Sequence, residues 1–587
     1  MTYRWQLAES DPALVGRLTA ELRLSPLLAR CLANRGLTEV GVAKDFLQPR
    51  LARLNDPFEL PNMTAAVERL WRAHPSRHGQ AEPLVIFGDY DVDGVTATAL
   101  LTEVLSRLGW IVHAYLPHRL DEGYGLSQEG IENCLLQRPV SLLLAVDCGS
   151  NAVDSVTWLR GRGVDVIILD HHQVANPPPP ALALVNPRVG RPASEGASSV
   201  EACATADGCE LSAVGLAFKL AHALVKSGRE RGLAGAAALD LREWLDLVAL
   251  GTIADLVPLT GENRILVSAG LTRLDATRRP GLRALKEVAQ VGPVADGYAV
   301  GFQLAPRLNA AGRLESATDA LRLLLTDDAD EAARIAGALD GRNRERQAIE
   351  RGIADAVLRQ VRAKFNASAD YVIVEGEAEW HIGVVGIVAS RVQREFYRPA
   401  LIMGGDGAHW RGSGRSVEGF DLAAALRECA DLLARHGGHA MAAGVTVRPE
   451  NLGALRTRLN EYARQAMSAE QLQPRLRLDA EVSLAELTLE RITELESLKP
   501  TGQGNPPVQV MVRGVGLNGP IKWMGREQQH ARFSVKAGPT QAGVLWWNCA
   551  DKARPAALFD LACAPQINEF NGRRSVELKV LDWRPVA

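Results

Sequence analysis

The sequence has no GxxxxGK[ST] phosphate loop, which argues against an ATP-driven motor. None of its eight cysteines (Cys31, Cys134, Cys148, Cys203, Cys209, Cys429, Cys549, Cys563) forms a CxxC pair or stands at zinc-finger spacing. They read as small buried apolar residues in a reducing compartment. No apolar run approaches the roughly 18 residues of a membrane span, and MTYRWQLAESDP lacks a basic segment followed by an apolar one, so no membrane partner and a cytoplasmic location are expected. Positive charge is not in excess either. A net charge of -3 excludes a generally basic nucleic-acid binder, so any contact with an anionic polymer must be local.

With 47% hydrophobic and 23% charged residues, the composition is that of an ordinary folded chain, and 587 residues suggest roughly three or four domains. Residues 1–75 read as helical. Within a domain at 76–326, short β-rich runs (PLVIF, 83–87; WIVHAYL, 110–116; SLLLAV, 141–146; VDVIIL, 164–169) alternate from about 83 to 170 with helical stretches such as TATALLTEVLSRL (96–108), and helices resume near 211. That alternation predicts a parallel sheet with crossover helices. GRPASEGASSVEACATADG (190–208) reads as an exposed loop. The polar stretch 327–365, with no proline and Gly341 as an interior break signal, predicts a largely solvated helix connecting two lobes. A second α/β pattern occupies 366–467, and 468–587 reads as all-β. Residues 501–587 hold 11 Lys and Arg against 6 Asp and Glu, the local basic surface that the overall charge requires. Four of eleven tryptophans (Trp523, Trp546, Trp547, Trp583) lie there, placed to stack on bases or to fill a core. The tail is expected to supply binding and not chemistry, so its deletion should leave cleavage largely intact.

Carboxylates and histidines recur where elements end: FGDYDVDG (Asp89, Asp91, Asp93), AVDCGS (Asp147), ILDHH (Asp170, His171, His172) and ALGTIADL (Asp255). In open parallel sheets, ligands bind beyond the carboxyl ends of the strands, so these acids can share one crevice. Alone, a DxD more often caps a turn, and GTIAD can simply close a helix. Together they carry an electrostatic cost that divalent cations remove. Oxygen ligands with one or two imidazoles suit Mn2+ or Mg2+, and two such ions about 3.5–4 Å apart hydrolyse phosphate esters. Glycine and arginine motifs would meet a phosphate chain: RLDEGYGL (Arg119), APRLNAAGR (Arg307, Asn309, Arg313), WHIGVVGIVASR, RGSGRS (Ser413, Arg415) and HGGHAMAAG (His439). Of these, GSGRS most resembles an anion cradle, although each could instead serve a turn or a solvated surface.

The series GDYDVDG, EGYGL, VDCG, LDHH, GTIADL, WHIGVVGIVASR, GSGRS and GGHAMAAG resembles, in the same order, the DHH phosphoesterase superfamily and within it the RecJ family of single-strand exonucleases. The resemblance covers nearly the whole chain. It implies an α/β protein: a parallel-sheet DHH domain and an α/β DHH-associated domain joined by a long helix, then a C-terminal β-barrel of oligonucleotide-binding type. It implies 5′-to-3′ hydrolysis of single-stranded DNA to 5′-mononucleotides in repair and recombination, with single-stranded DNA as partner and a single-strand-binding protein and a helicase as candidate protein partners. Two divalent ions, Mn2+ or Mg2+, would be held by Asp91, Asp93, Asp147, His171 and Asp255, with Asp147 bridging. His172 would face the scissile phosphate, and Asp170 would orient the imidazoles. Arg119, Ser413 and Arg415 would grip phosphate near the 5′ end, with Arg307, Asn309, Arg313 and His439 nearby. The chain departs from pyrophosphatase-type relatives, which carry histidine where Phe87 stands. Asp89, grouped with the catalytic residues, or water would complete that metal site. The alternatives are a phosphoesterase for short oligonucleotides or small esters and a non-catalytic DNA-binding scaffold.

Overall fold

The computed structural model describes residues 3–78, 82–119, 121–189, 210–405, 407–555 and 557–586. The expected loop at 190–208, with Cys203 and Cys209, lies outside them. The chain forms two compact units, residues 7–340 with 478–587 and residues 1–6 with 341–477.

The larger unit is built on a wholly parallel sheet of β1 (Leu84–Gly88), β2 (Val112–Tyr115), β3 (Leu142–Val146), β4 (Asp165–Leu169) and β5 (Ala183–Val185) in the order 2-1-3-4-5. The strands are apolar throughout because both faces are covered. Leu84, Ile86, Leu142, Leu144 and Ile167 face a core shared with the helices Val92–Leu108, Ala213–Glu230 and Leu245–Ala254. The alternate residues Val85, Phe87, Leu143, Ala145 and Ile168 face a second core with Gln128–Gln137 and Val153–Gly161. Connections leave β1 towards β2 on one side and reach β3 on the other, which creates a crevice at the carboxyl ends of β1 and β3.

The second unit holds a five-stranded mixed sheet, in spatial order Leu433–His439, Ala442–Val447, Trp410–Arg415, Ala400–Gly404 and Ile373–Glu377. The helix Ala329–Lys364 is continuous through Gly341, so the break signal there does not act. It is also less solvated than its polarity suggests. Ala332, Ile335, Ala336 and Leu339 enter the core of the larger unit, while Ile353, Val357, Leu358 and Val361 enter a core of the second unit.

Near the C-terminus, Val510–Leu517, Leu558–Phe570, Arg573–Pro585, Thr540–Trp546 and His530–Ala537 pair in a ring closed by Gly516 against Lys536. This is the expected barrel. Trp546 is buried in its core and Trp583 packs on the edge of Phe559, whereas Trp547 is 43% exposed beside His530. The barrel is not a detachable appendage. Leu18, Leu27, Leu28, Leu32 and Phe46 of the N-terminal helices share one core with Val482, Val510, Phe559 and Leu578. Deleting it would strip those helices of their apolar partner, contrary to the sequence-based expectation for the tail. A chain ending at residue 477 should therefore aggregate, with its first 50 residues cut at low protease doses. Cooperative melting with protected N-terminal helices would contradict this.

Candidate active site

The strand register brings the acids together. Each ladder continues one residue beyond its strand: Asp89 N donates to Val146 O (3.2 Å), Asp147 N to Leu169 O (3.0 Å) and Asp170 N to Val185 O (3.2 Å). Three carboxylates therefore stand side by side at the edge of the sheet. Asp147 adopts a positive φ of 64°, a strained conformation for a residue with a side chain and one that clusters at functional sites.

Asp91 caps the helix Val92–Leu108, accepting from Asp93 N (2.9 Å) and Gly94 N (3.2 Å). Asp93, in the first turn of that helix, accepts from Ala213 N (2.7 Å) and Val214 N (2.9 Å), at the positive end of another helix. Asp255 follows the helix Leu245–Ala254, whose Gly251 permits the approach: a methyl there would lie 2.3 Å from Thr96 Oγ1 and 3.0 Å from Asp93 Oδ1. His171 Nε2 lies 3.4 Å from both Asp147 Oδ1 and Asp255 Oδ2 and 4.0 Å from Asp93 Oδ2.

Asp170 plays another part. Its oxygens accept from the backbone N–H of Ser150, His171 and His172 and pair with His172 Nδ1 at 2.7 Å. Burial raises its carboxyl, but the hydrogen bond and charge of His172 outweigh that and hold it below the ordinary range. The same bond lifts His172 against its burial. The peptide carbonyl of His172 accepts from Asn186. The outer nitrogen of His172, Nε2, sits 3.3 Å from the Tyr124 hydroxyl.

Four buried atoms of this cluster make no hydrogen bond among the described residues: Asp89 Oδ1, Asp147 Oδ1, His171 Nε2 and Asp255 Oδ2. Ligand atoms of Asp93, His171 and Asp255 lie within 4.8 Å of one another, as do those of Asp89, Asp91 and Asp147 and those of Asp147, Asp170, His171 and His172. Burial and repulsion from Asp91 hold Asp89 well above the carboxylate range. Asp147 is raised in the same way by burial and by Asp91, Asp93 and Asp255. Burial and Asp91 push Asp93 to about 7, and burial with Asp93 and Asp91 pushes Asp255 to about 9. Burial lowers His171 to about 4, leaving a neutral imidazole at pH 7. Unsatisfied hard oxygens and a neutral imidazole form a donor set that fits Mg2+ or Mn2+.

Phe87, where histidine was the alternative, is fully buried and stacks on Tyr115, so it offers no donor; Asp89 is the group at hand. Arg119 lies over the Tyr90 ring at 5.2 Å. Asn309 accepts from Val92 N and so braces the helix bearing Asp93. Arg307 is engaged by Asp340 (2.9 Å) and Gln303 O (2.6 Å), and Arg313 stands near Tyr90. In the second unit, GSGRS is not an open loop. It lies in a strand paired on both sides, so its backbone amides cradle nothing. Arg415 Nη1 donates to Ser413 Oγ (2.8 Å) and to Gly414 O (2.8 Å), and both side chains lie beside Gly386 at the start of the helix Val385–Phe396. His439 is exposed at a strand end. Tyr124, inside the quoted EGYGL motif, and Asn186 were missed. Tyr124 carried a signal only through that motif, and Asn186 carried none.

This sheet and its row of acids define a DHH-type protein, and family models agree: the DHH family N-terminal domain matches residues 83–252, the DHHA1 domain 369–465 and the RecJ OB domain 478–582. The chain belongs to the RecJ family of single-stranded-DNA-specific exonucleases. It is 36% identical to RecJ of Bacillus subtilis (strain 168) over 99% of this chain and 70% of that one. It is 35% identical to RecJ of Dickeya dadantii (strain 3937), over 96% and 97%. The crystal structure of RecJ from Thermus thermophilus in complex with Mn2+ matches 100% of this chain and 80% of that one, with a TM-score of 0.82 and 32% identity; the complex with Mg2+ matches with 0.76 and 30%.

Raised carboxyls make the metal-free protein sensitive to base. Asp93 and Asp255 bind protons more tightly when folded than at the ordinary 3.8, so their contribution is present at low pH and is lost as pH rises through about 7 and about 9. His171 titrates below that window. The Tm of protein held in chelator should fall from pH 7 to 9, while Mn2+-saturated protein should hold steady. A flat or rising Tm without metal would contradict the assignment.

Proposed function

We infer that this protein is a metal-dependent exonuclease that degrades single-stranded DNA from 5′ to 3′, releases 5′-mononucleotides and serves DNA repair and recombination. One observation carries the chemistry: four buried donor atoms without hydrogen bonds, on residues of three overlapping acid and histidine clusters at the carboxyl edge of the parallel sheet. Asp91, Asp93, Asp147, His171 and Asp255 would hold two divalent ions, with Asp147 between them and Asp89 completing the site that Phe87 leaves short of a ligand. Bound there, the ions supply a hydroxide nucleophile near neutral pH and stabilise the leaving oxygen. The rest falls to the side chains. Asp170 fixes the His172 ring through Nδ1, leaving Nε2 to face the scissile phosphate beside Tyr124. Arg119, and in the second unit Ser413, Arg415 and His439, would bind phosphates of the strand. Asn309 and Arg307 act by bracing, and Arg313 adds positive charge near Tyr90. The exposed Trp547 and the basic residues of the barrel would hold the single strand by stacking and charge.

A single-strand-binding protein and a helicase fit as partners, since one coats and the other produces the substrate. The cytoplasm suits six cysteines buried as free thiols. No helix among the described residues is long and apolar enough to cross a membrane.

End-labelled single- and double-stranded DNA tests the reading: with Mn2+ the single strand should shorten from its 5′ end and the duplex should persist. Digestion in chelator, or from a labelled 3′ end, would overturn it. Asp147→Ala should cost at least ~100-fold in turnover, since losing even a supporting group costs 10–100-fold in metal affinity. It should also raise the metal-free Tm by relieving repulsion; turnover near wild type would remove Asp147 from the site. Arg415→Ala should weaken binding of 5′-phosphorylated strands by roughly 1.5–3 kcal/mol, the worth of a charge-assisted hydrogen bond. Strands ending in a 5′-hydroxyl should bind with little change, and equal losses on both would separate Arg415 from end recognition.

A further inference from the structure

Among the clustered acids, Asp255, like Asp147 and Asp89, has a carboxylate oxygen that nothing among the described residues holds, and unlike them it stands at the end of a helix and not of a strand of the sheet. Asp91, Asp93 and Asp170 are each fixed by backbone N–H donors, but Asp255 Oδ2 has no hydrogen bond. Its position therefore depends on the backbone that follows it. The next residue, Leu256, is 71% exposed and adopts the left-handed conformation (φ 61°) without being glycine. Such a conformation persists only where the surroundings impose it.

Those surroundings come from the entrance to the β-barrel. Leu259 N donates to Gln503 O at 2.8 Å, while the Leu259 side chain is buried in the catalytic core. Residues 502 and 504 are glycines where the two segments touch. A methyl at Gly502 would lie 2.8 Å from Leu259 Cδ1, and one at Gly504, where φ is +70°, would lie 2.9 Å from Pro258 Cβ. Past Pro258 and Leu259, the buried Arg264 donates to five carbonyl oxygens: Phe46 through Nε, Leu498 and Pro500 through Nη1, and Ser497 and Lys499 through Nη2. A guanidinium with every N–H used holds a backbone in one shape. Asn505, fully buried, ties the same turn to itself through Leu498 O and Pro500 O and to Arg35 through Oδ1.

We propose that the turn 501–506 is a positioning element of the metal centre: it clamps residues 256–260 and so sets where the Asp255 carboxylate stands. The role rests on reading Asp255 as a metal ligand. It makes the barrel entrance a requirement for hydrolysis and not only for holding DNA.

The test uses the full-length protein. Free Mn2+ is measured by electron paramagnetic resonance during titration of wild type, Gly502→Ala, Gly504→Ala and Asp255→Asn, and single-strand affinity is measured in chelator. Gly504→Ala should weaken one Mn2+ site by ~10–100-fold, the scale for losing support of a metal ligand. The site affected should be the one that Asp255→Asn weakens, and single-strand affinity in chelator should be unchanged. Turnover of Gly504→Ala should recover as Mn2+ is raised, at temperatures where its circular dichroism in chelator already matches wild type, which excludes simple rescue of an unfolded fraction by metal. If Gly504→Ala does not fold, Gly502→Ala, which meets only the Leu259 side chain and no backbone, carries the test. Glycine variants with wild-type isotherms beside a weakened Asp255→Asn would leave the turn as scaffolding and overturn the clamp. An unchanged Asp255→Asn isotherm would overturn the ligand reading and the clamp with it.

Discussion

Buried carboxylates within 4.8 Å of one another repel, and in this protein the sheet, its helices and the loops around them are arranged so that these groups nevertheless meet. In a low-dielectric site such groups either keep protons or bind a counter-ion. The raised Asp89, Asp147 and Asp255 are what the fold sustains without a cation, and a divalent ion removes the penalty while making use of the same oxygens. Affinity for metal and folding stability are thus coupled through one set of side chains.

Several parts of the chain must hold still for that meeting to occur. The register of β1, β3 and β4 supplies Asp89, Asp147 and Asp170; two helix starts meet at Asp93; and a third helix delivers Asp255 across Gly251. His172 works differently, because a carboxylate saturated by donors steers it instead of joining the repulsion. The two chain ends add a further layer, since the N-terminal helices and the barrel share a core and both touch the buried Arg264 through backbone carbonyls.

The parallel sheet was legible because fully buried strands read as continuous apolar runs, and the acids were legible because each ends such a run. Asp255 ends a helix instead, and only its place beside the other acids identified it. What could not be read depends on residues distant in sequence. Gly341 has the local signature of a break, but apolar residues on both sides of it bury in separate cores and carry the helix through. GSGRS has the composition of a cradle, yet strand pairing on both sides uses its amides. Arg307 reads as a phosphate ligand until Asp340, 33 residues on, is seen to hold it. Tyr124 and Asn186 touch His172 only because the loops after β2, β4 and β5 fold together.

The central claim is that these acids form a site for two divalent ions with Asp147 between them, and anomalous diffraction from crystals soaked in Mn2+ addresses it most directly. The account predicts two peaks about 3.5–4 Å apart, both in contact with Asp147, one flanked by Asp93, His171 and Asp255 and the other by Asp89 and Asp91. A single peak, or two peaks of which neither touches Asp147, would contradict it.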